Sequence, residues 1–110
     1  MDASPKEIKF YQRADDSVPV RDWLDAMRAS NRTTYDRIIN YIDRIEMGST
    51  SNLKPEGEGV TALKMDFGPG YRIYLGQDGN DLVILLIAGD KSSQTEDIRR
   101  AKEYWRDYNA

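Results

Sequence analysis

The sequence has 110 residues, 39% of them apolar and 32% charged, with a formal net charge of −3. That suits one domain with a modest core and lacks the basic surplus of an autonomous nucleic-acid binder. The absence of both cysteine and histidine excludes disulfides, thiolate metal sites and imidazole catalysis, leaving proton transfer to carboxylates, Tyr, Lys or water.

Met1 to Glu7 lack the basic-then-apolar profile of a leader peptide. Ile8 to Gln12 read as a first strand. Pro19 suits the first position of a helix, where its missing N–H costs nothing. Val20, Trp23, Leu24 and Met27 then recur at i, i+3, i+4 and i+7, the spacing of one buried helical stripe. Ser30 or Asn31 can cap a second helix, with Tyr35, Ile38, Ile39, Ile42 and Ile45 as its apolar face and Gly48 as its stop. Two helices this close in sequence suggest an antiparallel hairpin over a sheet.

Residues 48–59 read as a loop, with room for a very short edge strand near Leu53 and Lys54. Next, Leu63, Met65 and Phe67 alternate with Lys64 and Asp66, and Tyr71, Ile73 and Leu75 alternate with Arg72 and Tyr74. This is the period of strands with one buried face. Gly68-Pro69-Gly70 between them reads as a three-residue turn. It would set Phe67 opposite Tyr71, Met65 opposite Ile73, Asp66 opposite Arg72 and Lys64 opposite Tyr74. The polar face so formed is the one expected to carry a function.

Gln77 to Asn80 is a second hairpin turn. Leu82 to Ala88 is apolar at every position, which predicts a central strand covered on both faces. The run is far shorter than the ~20 residues a membrane helix needs, and a cytoplasmic location is expected. Ser93-Gln94-Thr95-Glu96 has the pattern of a capping box. It opens a last helix with Ile98, Ala101, Trp105 and Tyr108 on one side. The expected order is βααβββα: a single α+β domain over residues 1–110, with a small antiparallel sheet, an N-terminal helical hairpin and a C-terminal helix.

Phosphate-binding glycine loops, dinucleotide fingerprints, zinc spacings and Ser/His or Cys/His pairs are missing. What remains is a set of cationic and hydroxyl side chains, each with two readings. Arg72 can clamp a phosphate and stabilise charge growing on phosphorus, or it can pair across strands with Asp66. Lys91 adds an ammonium to the free N–H groups of a helix start, with Ser92 and Ser93 as further donors. In the other reading Asp90, Ser92 or Ser93 only caps the helix and Lys91 is solvated. Tyr71 and Tyr74 can stack on bases or relay a proton, although Tyr71 shares the parity of Ile73 and so also reads as core. Lys64 is either part of the same site or a lysine that keeps the sheet face soluble.

Leu63-Lys64, Phe67-Gly-Pro-Gly-Tyr-Arg-Ile-Tyr74 and Gly89-Asp-Lys-Ser-Ser-Gln94, followed by Asp97-Ile98 and Ala101-Lys-Glu-Tyr-Trp105, resemble the RelE/ParE toxin superfamily. The likeness is strongest to its HigB-like branch of addiction-module killer proteins and covers nearly the whole chain. It implies a RelE-like (microbial-ribonuclease-like) fold and the role of toxin in a type II toxin–antitoxin system. RelE-type members cleave mRNA in the ribosomal decoding site without metal or other cofactor. A ribose 2′-hydroxyl attacks the adjacent phosphate and a cyclic phosphate results.

Under this resemblance Arg72 stabilises the charge on phosphorus, and Lys91 and Lys64 bind phosphate or handle the proton. Tyr74 or Tyr71 orients a base, and Ser92 and Ser93 contribute to phosphate binding. The implied partners are a cognate antitoxin of helix-turn-helix type, the ribosome and mRNA, with a larger toxin–antitoxin assembly on operator DNA and no membrane. Two alternatives stay open. The ParE branch inhibits DNA gyrase rather than cutting RNA, and a degenerate toxin would serve only as its antitoxin's co-repressor. Fold does not separate these. An isoelectric point near 4.9 departs from the basic character of many ribosome-dependent members.

Overall fold

Pro19 opens helix α1 (Pro19–Ser30) at its first turn, with Val18 just outside, in a computed structural model that describes residues 5–110. The first four residues of the expected leader-free start lie outside that range. Asn31 ends α1 and caps helix α2 (Arg32–Glu46), its side chain accepting the Thr34 N–H at 3.1 Å. Such a cap contributes about 1 kcal/mol. Gly48, with φ of 93°, follows the end of α2 as expected of a helix stop.

Five strands form one sheet: β1 (Glu7–Phe10), β2 (Leu53–Gly57), β3 (Val60–Lys64), β4 (Arg72–Asp78) and β5 (Leu82–Gly89). Their order is β1-β5-β4-β3-β2, with β1 parallel to β5 and the remaining neighbours antiparallel. Helix α3 (Gln94–Tyr108) follows a short 3-10 turn at Lys91–Ser93. Val20, Leu24, Ile38, Ile42 and Ile45 of the first two helices bury one face of the sheet; Ala101 and Tyr104 of α3 bury the other.

Three expectations are corrected. The order is βααββββα, because the segment at Leu53 and Lys54 runs on to Gly57 as a full strand. Gly57, Glu58 and Gly59 all have positive φ (92°, 54° and 83°), which lets the chain reverse tightly into β3. Second, the sheet is mixed. As an edge strand of four residues, β1 carries no sequence signal of its neighbour or direction.

The third correction concerns register. Leu63 lies opposite Ile73, Lys64 opposite Arg72 and Ala62 opposite Tyr74. The pairing is two residues away from that of a three-residue turn, and the connection spans Met65 to Tyr71. Within it Gly70 N–H donates to the Phe67 carbonyl at 3.2 Å, and Gly68 and Gly70 take φ of 58° and 78°. A shift of two preserves parity, so Leu63, Ile73 and Leu75 still face α1 and α2. The opposite face, expected to be polar and open, is instead buried beneath α3 at Ala62 and Tyr74.

β5 is central and covered on both faces, as its unbroken apolar run predicts. Val83 and Leu85 enter one core, Ile84 and Leu86 the other. Tyr74 pairs with Ile87 but Leu75 pairs with Leu85, so Leu86 is an extra residue on β5. This bulge turns both Leu86 and Ile87 toward α3 and sets Gly89 opposite Arg72.

Candidate functional site

Opposed across β3 and β4, Lys64 and Arg72 leave the sheet on the same face as Ala62 and Tyr74. Lys91 N–H donates to the Pro69 carbonyl at 3.4 Å, tying the Gly68–Gly70 turn to the start of the last helix. Gly70 sits between the cations. A Cβ there would lie 3.3 Å from Arg72 Nη1 and 3.5 Å from Lys91 Cβ. Beside this junction opens a cavity of about 510 Å³, lined by the turn and by Lys64, Asp66, Phe67, Tyr71, Arg72 and Lys91. Its size is that of a small-molecule or nucleotide pocket.

The cavity has an excess of positive charge. Among the described residues Lys64, Arg72 and Lys91 form no ion pair. Like charges directly opposite in an antiparallel pair repel, so this placement is unfavourable unless an anion sits between them. Arg72 is only 7% exposed; its Nη1 donates to the Gly70 carbonyl at 2.9 Å and its Nε has no partner among the described residues.

Asp66 lines the cavity but accepts from Asn52 Nδ2 at 3.2 Å, and the expected Asp66–Arg72 pair does not form. Asp90 accepts from Ser92 N–H at 2.8 Å and from the Ser92 hydroxyl at 2.5 Å. These bonds, with a smaller contribution from Arg72, hold its carboxyl below the usual range.

The capping differs from the sequence pattern. Asp90 caps the 3-10 turn; Ser93 makes no side-chain cap to α3, and Glu96 is bonded to Arg99 and Arg100. The Ser93 hydroxyl donates to Asp97 Oδ2 at 2.5 Å. Ser92 and Ser93 are thus occupied with Asp90 and Asp97, and neither lines the cavity. Tyr71 does, and it also packs 5.5 Å from Phe67 and 5.8 Å from Trp23 between ring centroids.

Tyr74 is placed elsewhere. Its ring is wholly buried under α3 and its hydroxyl has no partner among the described residues. Burial pushes its pKa up to about 12, with Arg72 opposing and Asp97 and Glu56 adding. A ring with no exposed surface cannot stack on a base. Tyr74→Phe removes only an unpaired buried hydroxyl, so its thermal midpoint should match or exceed that of the wild type. Tyr74→Ala should lose about 3–5 kcal/mol, as large buried aromatics do.

The structure therefore gathers Lys64, Tyr71, Arg72 and Lys91 at one cavity and leaves Tyr74, Ser92 and Ser93 outside its wall. Asp66, Phe67 and the turn are wall elements that the sequence does not reveal, because Gly68-Pro69-Gly70 reads there only as a connector. Among the described residues no group of three His, Cys, Asp or Glu is placed to hold a metal ion.

Behind the cavity, Asp97 is buried against Gly89, and burial raises its carboxyl above the usual range despite the Ser93 bond. A raised folded value means the native state favours the protonated form. That stabilisation is complete below the unfolded carboxylate value and is lost as pH rises through the folded one. Asp97→Asn stays neutral and keeps an acceptor for Ser93. Its urea midpoint should therefore gain on that of the wild type between acidic and neutral pH.

Fold and site together define a small α+β domain with a cationic cavity at one end of its sheet. The chain is 39% identical over 80 residues to a Haemophilus influenzae protein described as uncharacterized, an overlap of 73% of this chain and 79% of that one. It belongs to the same family as that protein. No family model matches the sequence, and no solved structure matches it at a significant level. Among the described residues no helix is long and apolar enough to cross a membrane.

Proposed function

We propose that the protein is the toxin of a type II toxin–antitoxin pair, an endoribonuclease of RelE-like fold that cuts mRNA on the ribosome. It acts in the cytoplasm and is held in check by a cognate helix-turn-helix antitoxin. The observation that carries this reading is the direct opposition of Lys64 and Arg72 beside Lys91, around one cavity and, among the described residues, without ion-pair partners. Three cations so placed fit a phosphodiester, and they bind more tightly the extra negative charge of the transition state.

In the reaction the ribose 2′-oxygen attacks phosphorus and the bond to the 5′-oxygen breaks. A 2′,3′-cyclic phosphate and a 5′-hydroxyl result. Arg72 and the two lysines face the non-bridging oxygens, and a lysine ammonium supplies the proton taken up by the leaving oxygen. Water or a carboxylate accepts the 2′-hydroxyl proton, since the chain has no histidine.

The test is induction of the protein in cells followed by primer extension on abundant transcripts. New cuts in phase with codons are expected. A DNA-damage response without cuts would transfer the function to gyrase inhibition, and no effect at all would leave only a co-repressor role.

A further inference from the structure

We propose that the arginine–aromatic surface of α2 beside the cavity is a track for single-stranded RNA, stacking the bases that flank the cleaved phosphate. The proposal rests on the ribonuclease reading and adds to it where the rest of the strand lies. Arg37, Tyr41 and Arg44 fall at i, i+4 and i+7 and so share one face of α2, the arginines about 10 Å apart along its axis.

The Arg37 guanidinium carbon is 3.9 Å from the centroid of the Phe67 ring, an approach only the ring's face permits. Arg44 lies 4.7 Å over Tyr41 in the same way. The Tyr41 and Phe67 rings are 6.0 Å apart and within 23° of parallel, and Phe67 is itself part of the cavity wall. A continuous row of flat groups therefore leads from α2 to the cluster of Lys64, Arg72 and Lys91.

The two arginines are exposed, and neither has an ion-pair partner among the described residues; one turn away Arg32 is bonded to Asp36 at 3.1 Å. A guanidinium carbon seated over an aromatic ring is anchored from that side, and because both arginines are exposed each keeps an open face on the other. The open face can take an unstacked base, while the N–H edge reaches a phosphate. Bases in a duplex are already stacked and do not offer their faces, so the ligand is single-stranded. The track also reconciles a net charge of −3 with an RNA substrate, since stacking supplies affinity that overall charge does not.

The test is fluorescence anisotropy with a labelled 2′-O-methyl oligouridine, which lacks the 2′-hydroxyl needed for cleavage. The wild type should bind the single strand in preference to a duplex. Arg37→Gln and Arg44→Gln should each weaken binding by roughly tenfold, in keeping with the loss of one stacked base. Arg37→Lys keeps the charge but not the plane, and should weaken binding nearly as much.

Full affinity in Arg37→Lys would overturn the proposal, leaving a charge patch of the kind an acidic protein segment would meet. Unchanged affinity in both glutamine variants, or no binding of the oligomer at low salt, would overturn it too. The two readings fail separately. Arginine-dependent binding without cuts in cells would sink the nuclease and keep the track. Cuts of wild-type yield with arginine-independent binding would do the reverse.

Discussion

Lys91→Ala should reduce the proposed RNA cleavage by about a hundred- to a thousandfold, the scale on which one preorganised stabiliser of developing charge acts. Lys91 is exposed and its side chain has no ion pair among the described residues. The backbone N–H that ties it to Pro69 survives the substitution. The melting temperature should therefore stay close to that of the wild type while growth arrest on induction is relieved. Arg72→Ala is the less informative variant, because Arg72 is buried and also holds the Gly70 carbonyl. Undiminished toxicity of Lys91→Ala would remove Lys91 from the site.

Gly76→Ala should destabilise the fold by about 1–3 kcal/mol or more, the cost of forcing atoms into a packed interior. Gly76 lies within β4, and a Cβ on it would sit 2.6 Å from Trp105 Cδ2 and closer still to two other ring carbons. The indole has little room to move away. It is stacked on Tyr108 at 5.3 Å between centroids, and a Cβ on Gly59 would lie 2.6 Å from its Nε1. Gly59 and Gly76 together form the seat of α3. Displacing the helix would also shift the 3-10 turn before it, where Lys91 stands, so the proposed cleavage should fall with stability. A urea titration of Gly76→Ala against the wild type checks this; equal midpoints would contradict the seating of α3. Trp105→Leu in the Gly76→Ala background should recover part of the loss, because residues in contact couple.

Much of this architecture is legible in the residues. Pro19, the apolar stripe of α2 and the seven apolar residues of β5 each have one good physical solution, and the cap of α2 is narrowed to Ser30 or Asn31, of which the fold uses Asn31. The approach of Arg72 to Lys91 follows from a strand pair that leads back to a helix start, whereas the opposition of Lys64 to Arg72 comes from the register that the sequence does not reveal. What is not legible has identifiable causes. A register shift of two residues leaves every side chain of β3 and β4 on its expected face, so alternation cannot detect it. The bulge at Leu86 is hidden because all its neighbours are apolar. Tyr74 has the parity of Arg72, yet α3 closes over one while the other lines the cavity, and only tertiary packing decides that. Asp90, Ser92 and Ser93 are all good capping residues; which of them caps depends on Asp97 drawing the Ser93 hydroxyl away.

Affinity for an uncleavable 2′-O-methyl uridine dinucleotide, measured by calorimetry in the wild type, Lys64→Ala, Lys91→Ala and the double variant, tests most directly whether these cations hold one phosphate. Two lysines on the same anion should depart from additivity by about 0.5–3 kcal/mol. Strictly additive losses, or no loss in either single variant, would mean that the cations do not act on a common group.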